Sequence, residues 1–348
     1  MAKHIELGLD TFGDVTLDEN GKPLPQHEVI RNVVEEAVLA DKLGLDFFGV
    51  GEHHRDDFAV PAPDMVLAGI AGRTQRIRLG SAVTVLSSDD PVRVYERFAT
   101  LDALSNGRAE IIVGRGSFIE SFPLFGYNLQ DYDLLFEERL ELFAELLKEK
   151  PVTWSGRTRA PLKAQQVYPF TAAGKLKTWV AVGGTPQSVI RAAHYGLPLM
   201  LAIIGGSADR FAPFANLYRG ALAERGKAPL PIGVHSPGHV AETDEQAKDE
   251  LFPYYEAMHN RIGRERGWPP LSRTAYEQVT GPEGALCVGS PETVAKKIAH
   301  AITILGAERF DLKYSNGAMP HGLLMKSIEL YATQVVPRVR ELVGARSA

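Results

Sequence analysis

The sequence alternates short apolar runs with longer amphipathic segments along most of its length. We predict eight strands that are apolar on both faces, and each is followed by a segment with helical spacing. The predicted strands cover residues 5–9, 46–50, 77–86, 109–113, 178–182, 199–204, 231–235 and 309–314. The predicted helices cover residues 28–43, 64–73, 91–104, 134–148, 186–195, 208–225, 244–259, 291–305 and 323–342. Strands buried on both faces and followed by helices indicate an α/β fold with a parallel sheet.

Eight such units favour a (β/α)8 TIM barrel, and 348 residues suit a barrel with insertions. A doubly wound open sheet is the alternative, but the stretch Gly8–Gly13 lacks the Gly-x-Gly-x-x-Gly pattern after the first strand. We expect a single domain over residues 1–348, with insertions at about 151–177 and 260–288. The second insertion is long and polar, which is typical of a lid over an active site.

The composition excludes several classes of protein. The formal net charge of −5 provides no broad basic face, so we expect no nucleic-acid partner. The single cysteine, Cys287, cannot form an internal disulfide, and we interpret it as a small buried residue. No apolar run approaches the ~18 residues of a membrane helix, and the first residues do not resemble a signal peptide. We therefore expect no membrane partner and a cytoplasmic location.

In a barrel of this kind the chemistry lies at the C-terminal ends of the strands, so those positions matter most. The second strand ends in Gly51-Glu52-His53-His54-Arg55. Neighbouring histidines in a strand or tight loop point in different directions, so one metal ion would normally take only one of them. The pattern leaves three interpretations open: a polar contribution to an active site, a hydrogen-bonded structural cluster and a metal site.

Two later strand ends carry candidate anion-binding groups. The fourth strand ends in Gly114-Arg115-Gly116, where glycines would let the backbone approach a ligand and the guanidinium would bind a phosphate. The fifth ends in Gly183-Gly184-Thr185, and Pro186 would then begin a helix with Thr185 as its cap. Free backbone N–H groups and two hydroxyls, from Thr185 and Ser188, would form an anion site there. A structural salt bridge of Arg115 and an ordinary helix start are the alternatives.

Two further strand ends are less specific. The third contains Ser81–Leu86, whose small and branched residues would form an apolar floor for a flat ligand or simply pack in the core. Near the seventh strand, His235 and His239 would share one face of a strand, although two imidazoles without a third ligand make a poor zinc site.

Taken in chain order, these strand ends resemble the bacterial luciferase-like family of flavin-dependent monooxygenases. The resemblance spans about residues 5–345. The matching motifs are Glu52-His53-His54, Gly80-Ser81-Ala82-Val83 with Pro91-Val92-Arg93, the helix end from Asp102 to Arg108, Gly114-Arg115-Gly116 with Phe125-Gly126, and Tyr195-Gly196-Leu197-Pro198. Each motif is weak alone, but five in the correct order are specific.

The resemblance implies a (β/α)8 barrel that binds FMN, usually as a homodimer. It places Arg115, Thr185 and Ser188 at the flavin phosphate, with Gly114, Gly183 and Gly184 beside the cofactor. The Ala82–Val83 peptide would lie against the flavin ring, where the luciferases have a non-proline cis bond. His53 would be the catalytic imidazole, and no residue is assigned to a metal.

The sequence departs from the luciferases at two positions. Gly114 stands where they carry a reactive cysteine before the arginine, which argues against light emission from a long-chain aldehyde. Gly184 replaces the glutamate of the fifth loop, which would alter how tightly FMN is held.

The main hypothesis is an FMN-dependent oxidoreductase, a monooxygenase that uses reduced flavin and dioxygen to oxidise a small organic substrate. Electrons would come from NAD(P)H directly or through a separate flavin reductase, and a deazaflavin in place of FMN stays open. One alternative is a metal-dependent hydrolase on the same barrel that uses His53, His54, His235 and His239. The other is a flavin-binding protein without catalytic activity.

Overall fold

The computed structural model describes residues 4–116 and 118–346. In chain order the strands are β1 (Glu6–Thr11), β2 (Phe47–Val50), β3 (Arg78–Ser81), β4 (Thr84–Val85), β5 (Ala109–Gly114), β6 (Val152–Trp154), β7 (Leu162–Gln165), β8 (Lys177–Val182), β9 (Leu199–Ala202), β10 (Ile232–Val240), β11 (Cys287–Gly289) and β12 (Arg309–Lys313). Eight parallel strands pair in the order β1-β2-β3-β5-β8-β9-β10-β12, and β12 pairs with β1, so the barrel is closed. The α/β class and the (β/α)8 barrel are confirmed.

Helices follow the barrel strands and cover the outside of the barrel. They are α1 (Gln26–Lys42), α2 (Pro63–Ala71), α3 (Pro91–Leu104), α4 (Ser121–Leu124), α5 (Tyr132–Leu146), α6 (Pro186–Tyr195), α7 (Ala212–Glu224), α8 (Asp244–Arg266), α9 (Arg273–Thr280), α10 (Pro291–Leu305), α11 (His321–Leu330) and α12 (Val336–Arg346). Local sequence explains their starts. At α3, for example, the Asp90 carboxylate accepts hydrogen bonds from the N–H groups of Val92 and Arg93, and Pro91 occupies the first turn.

Several boundaries differ from the sequence prediction. The strand predicted over 77–86 is interrupted by a cis peptide between Ala82 and Val83, so it splits into β3 and β4. Helix α2 begins at Pro63, one residue before the predicted start, because a proline is well accommodated in the first turn of a helix. The helix predicted to end at 259 continues to Arg266, and α9 was not predicted.

Large side chains fill the barrel interior because several inward positions are glycine. A Cβ at Gly49 or Gly80 would lie 2.8 Å from the ring of Phe47, and one at Gly233 would lie 2.6 Å from Met200. Phe47 and Met200 form a buried apolar cluster with Ile112, Trp179 and Ala82. This layer separates the lower end of the barrel from the mouth at the C-terminal ends of the strands.

Two segments lie outside the eight units. Residues 151–177 contain the antiparallel pair β6–β7, and residues 260–288 contain the end of α8 and all of α9. Strand β11 pairs with the C-terminal part of β10, beyond the point where β10 leaves β9. Among the residues that the structure describes, no helix is long and apolar enough to cross a membrane.

Candidate active site

A cavity of about 290 Å³ opens at the C-terminal ends of the barrel strands. We call it the cofactor cavity. Seven of the nine residues assigned to the site from sequence line it, and these are His53, Ala82, Val83, Gly114, Arg115, Gly183 and Ser188. Gly184 and Thr185 lie in the adjoining turn instead of on the cavity wall. The C-terminal ends of the strands therefore bring together residues that are up to 135 positions apart in the sequence.

The floor of the cofactor cavity is apolar. Ala82 and Val83 form it with Ile112, Ala181 and Met200, and the Ala82–Val83 peptide is cis. A Cβ at Gly114 would lie 2.9 Å from the Val83 side chain, so the glycine makes room for that side chain. This gives Gly114 a packing role in addition to the backbone approach expected from the sequence.

One end of the cavity carries cationic and hydroxyl groups at the start of α6. Arg115 donates to the Asp133 carboxylate at 2.8 Å and lies 3.5 Å from Ser188 Oγ. The Thr185 hydroxyl donates to Ser188 Oγ at 2.8 Å and makes no capping bond to the helix backbone. Thr185 is the N-cap and Pro186 the first helical residue, as the sequence predicts. The first N–H groups of an α-helix have no partner within the helix and favour an anion.

Arg191 adds a second guanidinium that sequence reasoning missed. It donates to Glu137 at 2.5 Å and approaches Ser188 Oγ at 3.5 Å. Its position three residues after Ser188 on α6 brings the two side chains together. Two arginines, two hydroxyls and a helix N-terminus therefore converge at this end, which we call the anion end.

The glycine pair before α6 leaves the anion end open. A Cβ at Gly183 would meet no described atom within 4 Å, so the backbone here borders free space. Gly184 has φ +106°, a conformation that other residues rarely adopt. The glutamate expected in luciferases at this position would therefore strain the turn as it is built here.

The other end of the cavity presents His53. Its Nδ1 lies 3.2 Å from Glu120 Oε1, and both side chains are largely buried. Burial alone would raise the pKa of Glu120, but hydrogen bonds from His53 and from backbone N–H groups outweigh it, so the pKa is lowered. The other oxygen, Glu120 Oε2, is buried without a hydrogen-bond partner among the described residues. Glu120 is a site residue that the sequence gave no reason to choose.

His53 and His54 are adjacent in the sequence, but their side chains lie in different cavities. His54 Nε2 bonds to Glu52 Oε1 at 3.0 Å, and Glu52 Oε2 accepts a hydrogen bond from the N–H of Val85 at 2.9 Å. Glu52 thus ties the loop after β2 to the backbone just beyond the cis peptide. His53 faces the cavity, whereas His54 lies in a neighbouring pocket with Phe125.

A second cavity, of about 160 Å³, adjoins the first. We call it the aromatic chamber, because rings from five residues line it, namely Phe12, Phe58, Phe118, Tyr255 and Trp268. Phe12, Ile204 and His235 line both cavities and so form their junction. The outer wall comes from the C-terminal part of α8, which is bound to the His53 loop by a salt bridge between Glu265 and Arg55 at 2.7 Å.

His235 and Asp10 form a buried pair at this junction. Asp10 Oδ2 lies 2.7 Å from His235 Nδ1, and Asp10 is 1% exposed. Its Oδ1 has no hydrogen-bond partner within the described part of the chain. The sequence contains a signal for Asp10, which sits near the end of the first strand, but nothing in the spacing linked it to a residue 225 positions away.

The histidines are not arranged as a metal site. His239 is fully buried and its Nε2 bonds to Glu250 at 2.8 Å, away from the cavity that His235 lines. The shared face expected for His235 and His239 is lost because β10 leaves β9 after residue 235 and pairs with β11 from Gly238. Over residues 4–116 and 118–346, no group of three or more His, Cys, Asp or Glu side chains has a geometry that would hold a metal ion.

Comparison with known proteins agrees with this geometry. The sequence profile of the family described as luciferase-like monooxygenase matches residues 11–309. The chain belongs to that family. It is 32% identical over 254 residues to 4-hydroxyprotoasukamycin monooxygenase of Streptomyces nodosus, covering 69% of this chain and 67% of that protein. It is 27% identical to limonene 1,2-monooxygenase of Rhodococcus erythropolis, covering 88% and 80% respectively.

Solved structures share the fold. A monooxygenase of Streptomyces bottropensis superposes with a TM-score of 0.82 at 24% identity, covering 96% of this chain and 99% of that one. The oxygenating constituent of 3,6-diketocamphane monooxygenase from Pseudomonas putida, solved with FMN, gives 0.77 at 19% identity with 97% and 99% coverage. A coenzyme F420-dependent tetrahydromethanopterin reductase from Methanopyrus kandleri gives 0.72 at 16%, with the same coverage. Of these structural neighbours, one was solved with FMN and another depends on coenzyme F420.

Proposed function

We propose that the protein is an FMN-dependent monooxygenase that uses reduced flavin and dioxygen to oxidise a small organic substrate. One observation carries the proposal. An apolar, flat-floored cavity runs from an anion end at the start of α6 to a buried histidine–carboxylate pair. The anion end would hold a phosphate, the apolar floor would hold a ring system, and the histidine would lie at the far end of that ring.

The residues present fit FMN. Arg115, Thr185 and Ser188 would hold its phosphate, and Arg191 would add a second cation, because a guanidinium donates in a planar fork that suits phosphate. Gly183 and Gly184 would let the backbone approach the same group. Ala82, Val83 and Gly114 would border the ring, and Ala181 and Met200, which line the same cavity, would pack against it.

When bound in its reduced form, FMN supplies the electrons with which dioxygen is activated. The chain's own contribution is to hold the ring between apolar walls, to exclude water and to place His53 where a proton must move. The Glu120 carboxylate accepts a hydrogen bond from His53 Nδ1, so it fixes the orientation of the imidazole ring. His53 is the residue we assign to proton transfer.

Other properties are proposed on the family resemblance. These are a homodimer, a cytoplasmic location and a separate flavin reductase, with direct use of NAD(P)H as the alternative source of electrons. We also propose that residues 260–288 act as the lid of a single-domain barrel, since the end of α8 covers the aromatic chamber and its Arg261 reaches Asp57 at 3.4 Å. Release of these ion pairs would uncover the chamber.

The proposal is tested by cofactor titration of the purified chain. We expect quenching of FMN fluorescence at one site per chain, and consumption of dioxygen when reduced FMN and an accepted substrate are supplied. Isotopically labelled dioxygen should place one labelled oxygen in the product. Saturable binding of F420 with no binding of FMN would refute the FMN assignment, and stoichiometric zinc without flavin binding would favour the hydrolase alternative.

A further inference from the structure

Most polar groups of the aromatic chamber are already engaged within the protein. Lys313 donates to Asp14 and to the carbonyl of Ser315. Asn316 donates to the carbonyls of Gly238 and Lys313 at 2.9 and 3.0 Å. His235 is engaged on one side, because Asp10 contacts Nδ1, and Nε2 has no hydrogen-bond partner within the part of the chain that the structure describes. This nitrogen is available at the junction of the two cavities.

Asp10 determines what that nitrogen does. An ionised carboxylate only accepts hydrogen bonds, so the 2.7 Å contact makes His235 Nδ1 the donor. In the neutral form of the imidazole, Nε2 is then the acceptor. An acceptor at the end of a pocket selects a ligand with an O–H group over one with only a carbonyl oxygen.

The walls select the rest of the ligand. Phe58 stacks on His53 with centroids 4.4 Å apart, and Phe118 meets His53 edge-on at 5.1 Å. Phe12 lies parallel to the His235 ring at 6.1 Å. These contacts hold the rings of the wall against one another, and a wall built of aromatic faces and edges favours a flat ring packed against it over a flexible chain.

We propose that the substrate is a hydroxylated aromatic ring compound, bound in the aromatic chamber with its O–H donating to His235 Nε2. The proposal rests on the proposed function, since it names the substrate class of the same site. In the step that follows, the O–H bond breaks, the proton forms a bond to Nε2, and the electron pair remains on the substrate oxygen. Asp10 stabilises the imidazolium so formed. The product of the step is a phenolate, whose ring carries more electron density and is more readily oxidised.

Other charged groups face His235 from neighbouring elements. Asp311 on β12 lies opposite His235 on β10 in the sheet register, and it also lines the cofactor cavity. Its carboxylate, however, is bound to Arg309 at 2.8 Å. Lys313 on β12, and His259 and Arg266 on α8, line the chamber. Asp10 is therefore the carboxylate that contacts the His235 ring directly. This makes Asp10 a positioning residue and His235 the group that touches substrate.

The test uses 2-naphthol, whose absorbance changes when its hydroxyl ionises. The full-length protein with FMN bound is titrated with pH at saturating 2-naphthol, and the absorbance of the same protein without naphthol is subtracted. We expect the pKa of bound 2-naphthol to fall at least about one unit below that of the free compound, a tenfold change in its ionisation constant. Naphthalene, which lacks the hydroxyl, should bind more weakly by up to about tenfold.

Three variants complete the test. His235→Phe keeps a ring against Phe12 and should return the pKa of bound 2-naphthol to the free value. Asp10→Asn is isosteric, and should reverse at least half of the shift; it also carries the test if His235→Phe fails to fold. His300→Gln removes a half-exposed histidine that pairs with Asp209 outside both cavities, and it should leave the shift unchanged.

The outcomes separate the two proposals. FMN binding is measured first without naphthol, and its absence refutes the proposed function regardless of the chamber. If FMN binds, the substrate proposal is overturned when 2-naphthol does not bind, when its bound pKa equals the free value, or when His235→Phe retains the shift.

Discussion

Buried charged groups are arranged differently at the two ends of the barrel interior. At the lower end, Arg309 is completely buried and bonds to both Glu110 and Asp311. At the mouth, Asp10 and Glu120 are each paired with a histidine but keep one oxygen without a partner among the described residues. Arg309 Nη2 also has no hydrogen-bond partner among the described residues, so the difference is one of position. The Arg309 cluster lies beneath the apolar layer, whereas Asp10 and the histidine partner of Glu120 line the cofactor cavity, where a ligand can reach them. Buried polar groups at the lower end therefore stabilise the fold, whereas those at the mouth are positioned for a ligand.

The buried group of Arg309, Glu110 and Asp311, which we call the lower cluster, also differs from the mouth in its electrostatics. Burial alone would raise the pKa of Glu110, but Arg309, Lys177 and Arg78 together lower it to about 2. The pKa of the Asp311 carboxyl is raised to about 7, because burial outweighs the opposing effect of Arg309. Arg309 also lies 3.5 Å from the centre of the Phe47 ring, beneath the apolar layer that floors the mouth. The Arg309 guanidinium therefore contacts both carboxylates of the lower cluster and the Phe47 ring.

The largest expected effect on stability comes from breaking the lower cluster. Arg309→Met leaves Glu110 without its closest cation in a site that excludes water, and we expect the free energy of unfolding to fall by about 3–5 kcal/mol. Urea denaturation followed by circular dichroism measures it. Arg115→Met, at the partly exposed anion end, should lower stability by less than about 1 kcal/mol. Equal losses in the two variants would contradict the comparison.

Substitutions at the mouth should change the rate of turnover more than the free energy of unfolding. His53→Ala removes the group assigned to proton transfer, so we expect turnover to fall about 10²–10⁴-fold while FMN affinity stays within a factor of about three. Steady-state dioxygen consumption with an accepted substrate, alongside an FMN titration, checks both values. His300→Ala, at a half-exposed site outside both cavities, is the matched control. Unchanged turnover in His53→Ala would reject the role.

A pair of glycine substitutions sharpens the contrast within the mouth. Gly114→Ala would place a Cβ 2.9 Å from Val83, and such overpacking should lower the free energy of unfolding by about 1–3 kcal/mol. Gly183→Ala meets no described atom within 4 Å, so its stability should change by less than about 0.5 kcal/mol, while its FMN affinity falls. Thermal unfolding with and without FMN distinguishes the two. A stability loss at Gly183 equal to that at Gly114 would argue against an open anion end.

A smaller effect than the loss of Arg309 is expected from the dependence of stability on pH. The pKa of Glu110 is lowered in the folded protein from an ordinary 4.5 to about 2, so its stabilising effect is complete above pH 4.5 and is lost as pH falls toward 2. Glu110 alone should therefore remove about 1 kcal/mol between pH 6 and pH 4. Urea denaturation of Glu110→Gln at the two pH values should show that much less change than the unaltered protein. An identical pH dependence in both would place the effect on other carboxylates.

The fold and half of the site could be predicted from sequence because both depend on local patterns. Strand–helix alternation gave the barrel, and the strand ends gave His53, Arg115 and the α6 turn. The split of β3 from β4 could not be read from propensity, since Ala82 and Val83 suit a continuous strand. His235 with Asp10, and His53 with Glu120, are pairs joined only by barrel closure or by a loop far along the chain. The aromatic chamber likewise combines rings from distant segments.

The central claim is that the anion end binds the phosphate of FMN. The most direct measurement compares FMN with riboflavin, which has the same ring and no phosphate, in titrations of the protein, of Arg115→Gln and of Arg93→Gln as an exposed arginine control. We expect FMN to bind about 10–100-fold more tightly than riboflavin, because charge-assisted hydrogen bonds contribute about 1.5–3 kcal/mol. Arg115→Gln should lose most of that difference, and Arg93→Gln none. Equal affinity for FMN and riboflavin in the unaltered protein would contradict the account.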